Sequence, residues 1–158
     1  MEEFNRLGTR SDVWIGVGKE FEKEENTKRE DIYFYLGDEM HTPIFWVEAK
    51  RLPKSKTIKE HEYVASVSTN KQPCGGIERY KLELHGNIEQ KTNGMIAYVE
   101  NLTSENWFHI INEDIMRIYS EEELLVPVKH FTEFYSTHQY VNHPNESFRM
   151  YHFWIDLT

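Results

Sequence analysis

The segment Ile44-Phe45-Trp46-Val47-Glu48-Ala49-Lys50 decides how this chain is read, because it is an apolar run that ends in a carboxylate and an amine two residues apart. Successive side chains on a β-strand alternate between faces, so Glu48 and Lys50 share one face while Phe45, Val47 and Ala49 share the other. Taking charge out of water costs on the order of several kcal/mol per ion unless the ion is paired or bound to a metal. Opposite charges at the end of a core strand therefore call for partners.

A partner strand is expected just upstream. Asp31-Ile32-Tyr33-Phe34-Tyr35-Leu36 is β-branched and aromatic, and Gly37-Asp38-Glu39-Met40-His41-Thr42-Pro43 supplies turn residues. A turn symmetric about the Glu39–Met40 bond sets Asp31 opposite Glu48, Tyr33 opposite Trp46 and Tyr35 opposite Ile44. Ile32, Phe34, Leu36, Phe45 and Val47 then form the other face, the expected core side, into which a slip of one residue would send Asp31.

In this register Asp31, Glu48 and Lys50 converge. The two carboxylates, with the backbone carbonyl of Ala49, offer hard oxygen ligands suited to Mg²⁺, which keeps several waters and accepts phosphate oxygens. A metal-activated water is a nucleophile for a phosphoryl centre, and the Lys50 ammonium can orient that water or stabilise the transition state. The plainer alternative is a sheet-edge salt bridge joining Asp31 and Glu48 to Lys50 or Arg51.

Asp31, a spacer through the turn, and then Glu48-Ala49-Lys50 on the next apolar strand together resemble the PD-(D/E)xK signature of restriction-endonuclease-like nucleases, with Glu30 where that pattern often has proline. The resemblance implies an α/β fold, a mixed central β-sheet flanked by helices, across residues 11 to 100. It also implies Mg²⁺-dependent hydrolysis of nucleic-acid phosphodiesters, with Mn²⁺ able to substitute and DNA placed ahead of RNA. Asp31 and Glu48 become metal ligands and Lys50 the residue that assists the water. A glutamate from a helix before the first strand often helps at such a metal; here Glu20 or Glu22 would serve only if the chain folds back. A second triplet, Glu89-Gln90-Lys91, lies in a polar stretch with no apolar strand leading into it.

At 158 residues the chain is expected to form one domain spanning residues 1–158. Its net charge of −9 counts against a general polyanion-binding surface. The distribution softens that objection: Lys50, Arg51, Lys54, Lys56 and Lys59 form a run without an acid, and Arg79 and Lys81 follow in the next helix. These are the candidate nucleic-acid contacts, although a solvated charged loop explains such a run as well. The lone cysteine, Cys74, excludes an internal disulfide, and no stretch is long and apolar enough for a membrane span, so a soluble cytoplasmic protein without a membrane partner is expected. The rival reading is a non-catalytic interaction module on the same scaffold.

Further elements follow from periodicity. A first strand is expected over Asp12–Val17, ended by Gly18, then one or two helical turns over Thr57–Val64 and a mobile loop from Ser66 to Gly76. A helix over Ile77–His85 would bury Ile77, Tyr80 and Leu84 and end at Gly86, with Gly75-Gly76 as a candidate phosphate cradle and Arg79 able to pair with Glu83. Gly94–Val99 reads as an inner strand parallel to the one carrying Glu48. A helix from Thr103 or Ser104 to Tyr119 follows, with Trp107, Ile111, Ile115 and Ile118 inside, then a solvated Glu121–Glu123. The carboxyl end reads as an antiparallel hairpin, Phe131–Val141 and Phe148–Leu157, with His138 facing His152 and Asp156 on the same face, too few ligands for zinc. Its many aromatics would pack the core or a surface between two copies, a homodimer.

Overall fold

The computed structural model describes residues 15–22, 29–52, 60–68, 70–86 and 88–157. Three strands open the chain: β1 (Ile15–Glu22), β2 (Arg29–Leu36) and β3 (Pro43–Leu52). A 3₁₀ turn (Glu60–Tyr63) and helix α1 (Gly76–Lys81) lead to β4 (Thr92–Val99), and helix α2 (Ser104–Ile118) with a second 3₁₀ turn (Glu121–Glu123) leads to β5 (Val126–Lys129), β6 (Glu133–Gln139) and β7 (Ser147–Asp156). All seven strands form one sheet in the order β1-β2-β3-β4-β7-β6-β5. Its β3–β4 and β4–β7 pairs are parallel and the rest antiparallel. The mixed sheet, the parallel inner strand and the antiparallel β6–β7 hairpin agree with the reading of the sequence.

The β2–β3 register sets Tyr33 against Trp46 and Ile32 against Val47, as symmetry about the turn requires. It shifts by one between Phe34 and Tyr35, so Tyr35 pairs with Pro43 and not with Ile44. The cause is in the turn, where Asp38 accepts from the Thr42 amide at 2.9 Å and the Thr42 hydroxyl at 2.8 Å and draws that limb in by one residue. β1 runs through Gly18 to Glu22 instead of ending there. Gly16 and Gly18 face the rings of Tyr35 and Tyr33, where any Cβ would lie 2.2 Å from a ring carbon, so these glycines seat cross-strand aromatics and do not break the strand.

The two faces of the sheet have exchanged their expected roles. Trp46 and Leu52 of β3 pack with Met95, Ala97 and Val99 of β4, Ile77 and Tyr80 of α1, and Trp107, Ile111 and Ile115 of α2. Helical cover thus lies on the Glu48 face. The face carrying Ile32, Phe34, Phe45 and Val47, expected to be the core, lines an open groove of about 400 Å³ whose other walls, Ile96 and Phe153 among them, also come from strands. Parallel β4 brings the helices back over Met95, the residue paired with Glu48, and this decides which face is closed.

Other expectations are corrected. α1 stops at Lys81, and Leu84 is only half-buried. Ile118 is exposed, while Glu123, expected to be solvated, is buried. β6 and β7 pair four residues out of the anticipated register, so His138 faces Phe148 and His152 faces Phe134. Residues 66–68 and 70–74 are tied together by Ser68 N–H to Gln72 O at 2.9 Å and Cys74 N–H to Ser66 O at 2.8 Å. Residues 53–59 and 11–14 of the expected elements lie outside the described residues.

Gly75 and Gly76 are buried and packed. A Cβ on Gly75 would come within 2.3 Å of Ala65 Cα and 2.7 Å of Val64 O, both backbone, and the Glu78 amide already donates to Val64 O at 2.9 Å. Close packing, and not a phosphate cradle, accounts for them. Gly75→Ala should therefore destabilise the fold by about 1–3 kcal/mol, read as a lower urea midpoint with an unchanged m-value; an unaltered midpoint would contradict this packing.

Candidate active site

Glu48 sits on the closed face of β3 and is 3% exposed. Tyr33 pairs with Trp46, so Asp31, two residues before Tyr33, lies on the same face as Trp46, Glu48 and Lys50. The three groups anticipated from the motif do share a side. Asp31 Oδ2 accepts from the Ala49 amide at 2.7 Å, where the main-chain pairing of β2 with β3 gives out. Within an extended strand the N–H and C=O of one residue leave on the same side, so the Ala49 carbonyl also issues toward β2 and Asp31.

The Glu48 carboxylate is surrounded by cationic and polar groups. Oε1 lies 2.9 Å from Lys50 Nζ and 3.2 Å from Arg79 Nη1, and Oε2 lies 3.1 Å from His85 Nδ1. The plain Glu48–Lys50 salt bridge is thus present, with two further partners that the motif does not name. Arg79 takes Glu48 and not Glu83, because it projects from α1 toward β3. His85 arrives by the way α1 ends. Glu83 adopts φ of 57°, and the Leu84 and His85 amides both donate to Arg79 O, at 2.8 and 3.2 Å, which folds His85 back beside Arg79. Nothing in the sequence singled out His85 beyond its place before the helix-ending Gly86, whose φ is 63°.

Burial by itself would raise the Glu48 pKa, but His85 and Lys50 outweigh it and hold the carboxyl at about 2. Asp31 is raised, chiefly by burial and also by Glu48, against the lowering effect of the Ala49 amide. The pair is therefore asymmetric, one carboxylate firmly ionised and its neighbour more basic than usual.

Several buried polar atoms here lack a hydrogen-bond partner among the described residues: Glu48 Oε2, Arg79 Nε and both ring nitrogens of His85. The His85–Glu48 contact is close without hydrogen-bonding angles. An orphaned carboxylate oxygen is costly unless water or a cation meets it. Oxygen donors from Glu48, Asp31 and the Ala49 carbonyl form a hard set that fits Mg²⁺ or Mn²⁺. No group of three or more His, Cys, Asp or Glu side chains able to hold a metal occurs among the described residues, so the backbone carbonyl and waters would have to complete such a shell.

The other candidate contacts divide. Arg51 is exposed and forms a bidentate pair with Glu100, Nε to Oε1 at 2.5 Å and Nη2 to Oε2 at 2.7 Å. Lys81 is buried, its ammonium 2.6 Å from both oxygens of Glu123 and over the ring of Tyr119, so it is not available to a phosphate from this position. Lys54, Lys56 and Lys59 lie outside the described residues, as do the side chains of Glu20 and Glu22. No helix among the described residues is long and apolar enough to cross a membrane.

The Glu48 environment sets an acid dependence. Its folded pKa is depressed from 4.5 to about 2, so it contributes stability that is complete above pH 4.5 and lost as pH falls toward 2, on the order of 3 kcal/mol in all. Urea denaturation of the native protein and Glu48→Gln between pH 6 and 2 (roughly the window where the carboxyl titrates) should show the native curve falling more steeply; parallel curves would contradict this cage. A scan against protein-family models, a search of curated proteins and a search of solved structures each found no match to this chain.

Proposed function

We propose that the protein is a metal-dependent nuclease that hydrolyses nucleic-acid phosphodiesters, DNA ahead of RNA, on a restriction-endonuclease-like scaffold. One observation carries the reading. Asp31 and Glu48 share the closed face of two adjacent strands, with the Ala49 amide bound to Asp31 and with Glu48 Oε2 close to the His85 ring but without a hydrogen bond.

Asp31, Glu48 and the Ala49 carbonyl would hold Mg²⁺ or Mn²⁺, and the bound cation would supply a water of lowered pKa and charge compensation at phosphorus. His85 and Lys50 keep Glu48 ionised, Lys50 and Arg79 both pair with its Oε1, and Lys50 is the group that would assist the water. The sequence from Arg51 to Lys59, cationic and without an acid in an otherwise acidic chain, supports the reading as a source of contacts to backbone phosphates. Lys81 has no part in it. DNA restriction, repair and defence are the settings that the motif resemblance suggests for such a nuclease.

A second reading, a non-catalytic interaction module, is favoured by the open apolar groove on the opposite face, which a partner or a second copy of the chain in a homodimer would cover.

The two separate in a cleavage assay on linear, circular and single-stranded DNA and on RNA, with Mg²⁺ or Mn²⁺. Native protein should cut, chelation should abolish cutting, and Asp31→Asn and Glu48→Ala should each lose about 100-fold or more. Circular dichroism on the same preparations distinguishes lost chemistry from lost fold. Equal rates in native and variant protein would sink the nuclease assignment, and no cleavage alongside salt-independent self-association would favour the module.

A further inference from the structure

Across the same face of the sheet from Glu48, in the row Glu48–Met95–His152, lies a line of buried polar groups that the proposed reaction does not use. Trp154 Nε1 donates to Tyr63 Oη at 3.1 Å, and Tyr63 Oη lies 2.7 Å from His152 Nδ1. His152 Nε2 is 2.8 Å from Ser136 Oγ, Ser136 Oγ is 2.7 Å from His138 Nε2, and His138 Nδ1 is 2.7 Å from Glu123 Oε2. Tyr63, Ser136, His138 and His152 are almost wholly buried.

Serine, histidine and glutamate in this order have the connectivity of an acyl-transfer triad. They cannot act as one here. Ser136 Oγ is already engaged by an imidazole on each side and is 1% exposed, which leaves no approach for a substrate.

The ends of the line fix every proton in it. An indole nitrogen only donates and an ionised carboxylate only accepts. Glu123 is kept ionised against its burial by His138 and Lys81. His138 must therefore donate from Nδ1, and as a neutral ring its Nε2 must accept from Ser136. The single hydroxyl proton of Ser136 being so used, His152 must donate to it from Nε2 and accept at Nδ1 from Tyr63. Tyr63 in turn accepts from Trp154, and each donor is used once.

We propose that this line is a one-way hydrogen-bond chain, with His152 protonated on Nε2 and His138 on Nδ1, that acts as an acid-sensitive latch holding the 3₁₀ turn Glu60–Tyr63 and α1 against β6 and β7. A second proton on His152 places two donors, Nδ1–H and the tyrosine O–H, against each other. A second proton on His138 reverses Ser136, forces His152 to donate toward Tyr63, and has the same result. Either way the Tyr63 hydroxyl is left buried with no acceptor. The latch joins five elements: Tyr63 from the first 3₁₀ turn, Lys81 from α1 through its pair with Glu123, Glu123 from the second 3₁₀ turn, Ser136 and His138 from β6, and His152 and Trp154 from β7.

The charged and titratable groups around it agree. Burial lowers the pKa of both imidazoles; Glu123 pulls His138 upward, Lys81 adds to its depression, and His138 adds to that of His152. Burial raises the Tyr63 hydroxyl, which stays protonated, and raises Tyr119, which caps the Lys81 ammonium and feels Glu78 and Glu123. Since the unfolded rings bind protons below about 6.5 and the folded ones do not, stability from the latch is complete above 6.5 and is lost as pH falls below it.

Long-range ¹H–¹⁵N correlation spectra of the histidine-labelled protein near neutral pH test the chain directly. The expected result is opposite tautomers, a bare Nδ1 on His152 and a bare Nε2 on His138, both rings staying neutral as pH is lowered until α1 and the 3₁₀ turn lose hydrogen-exchange protection together. The same tautomer on both rings, or either ring titrating near 6.5 with that protection unchanged, would overturn the proposal. Ser136→Ala separates the two halves: each end should still fix its own ring, His138 keeping its Nδ1 proton on Glu123 and His152 accepting from Tyr63 at a bare Nδ1, and a change of tautomer on either ring would count against the chain.

Discussion

The structure depends on the burial of one carboxylate. Glu48 ends an apolar strand on the face that the helices close, so its charge must be met inside the protein. Lys50 from its own strand, Arg79 from α1 and His85 from the turn after α1 all reach it. A buried pair of this kind contributes little net stability, but removing one partner costs about 3–5 kcal/mol. That asymmetry makes Glu48 a fixed point: α1 cannot shift along β3 without stranding charge. The short α1, the left-handed Glu83 and the return of the chain into β4 all serve this placement.

How far the sequence could be read follows from where its information is local. The hairpin register was legible because Tyr33 and Trp46, a short turn and alternating polarity all point one way, and the single slip comes from the Asp38–Thr42 clamp within the turn. The inner strand, α2 and its Thr103 cap were legible for the same reason; the cap closes on Asn106 in both directions. What was not legible is non-local. Both faces of β2–β3 carry aromatics, so polarity alone assigned the core to the wrong one; the parallel crossover decided it. His85 and Glu123 looked like surface residues because their partners, Glu48, Lys81 and His138, come from other elements.

The core is held by two polar systems of opposite character. Around Glu48, formal charges gather with unmet valences, an arrangement suited to admitting a cation or water. From Trp154 to Glu123, the hydrogen bonds form a closed sequence with no valence left over, an arrangement suited to rigidity. α1 touches both, through Arg79 and Lys81 two residues apart. The open apolar face stands apart from both.

The central claim is that the Asp31–Glu48 pair receives a divalent cation. Paramagnetic broadening of backbone amide signals by Mn²⁺ tests it without requiring a substrate. The account predicts saturable broadening centred on Asp31 and on Glu48 to Lys50, reversed by excess Mg²⁺ and absent in Asp31→Asn. Broadening confined to the acidic segment around Glu121 and Glu122, or none at all, would contradict it.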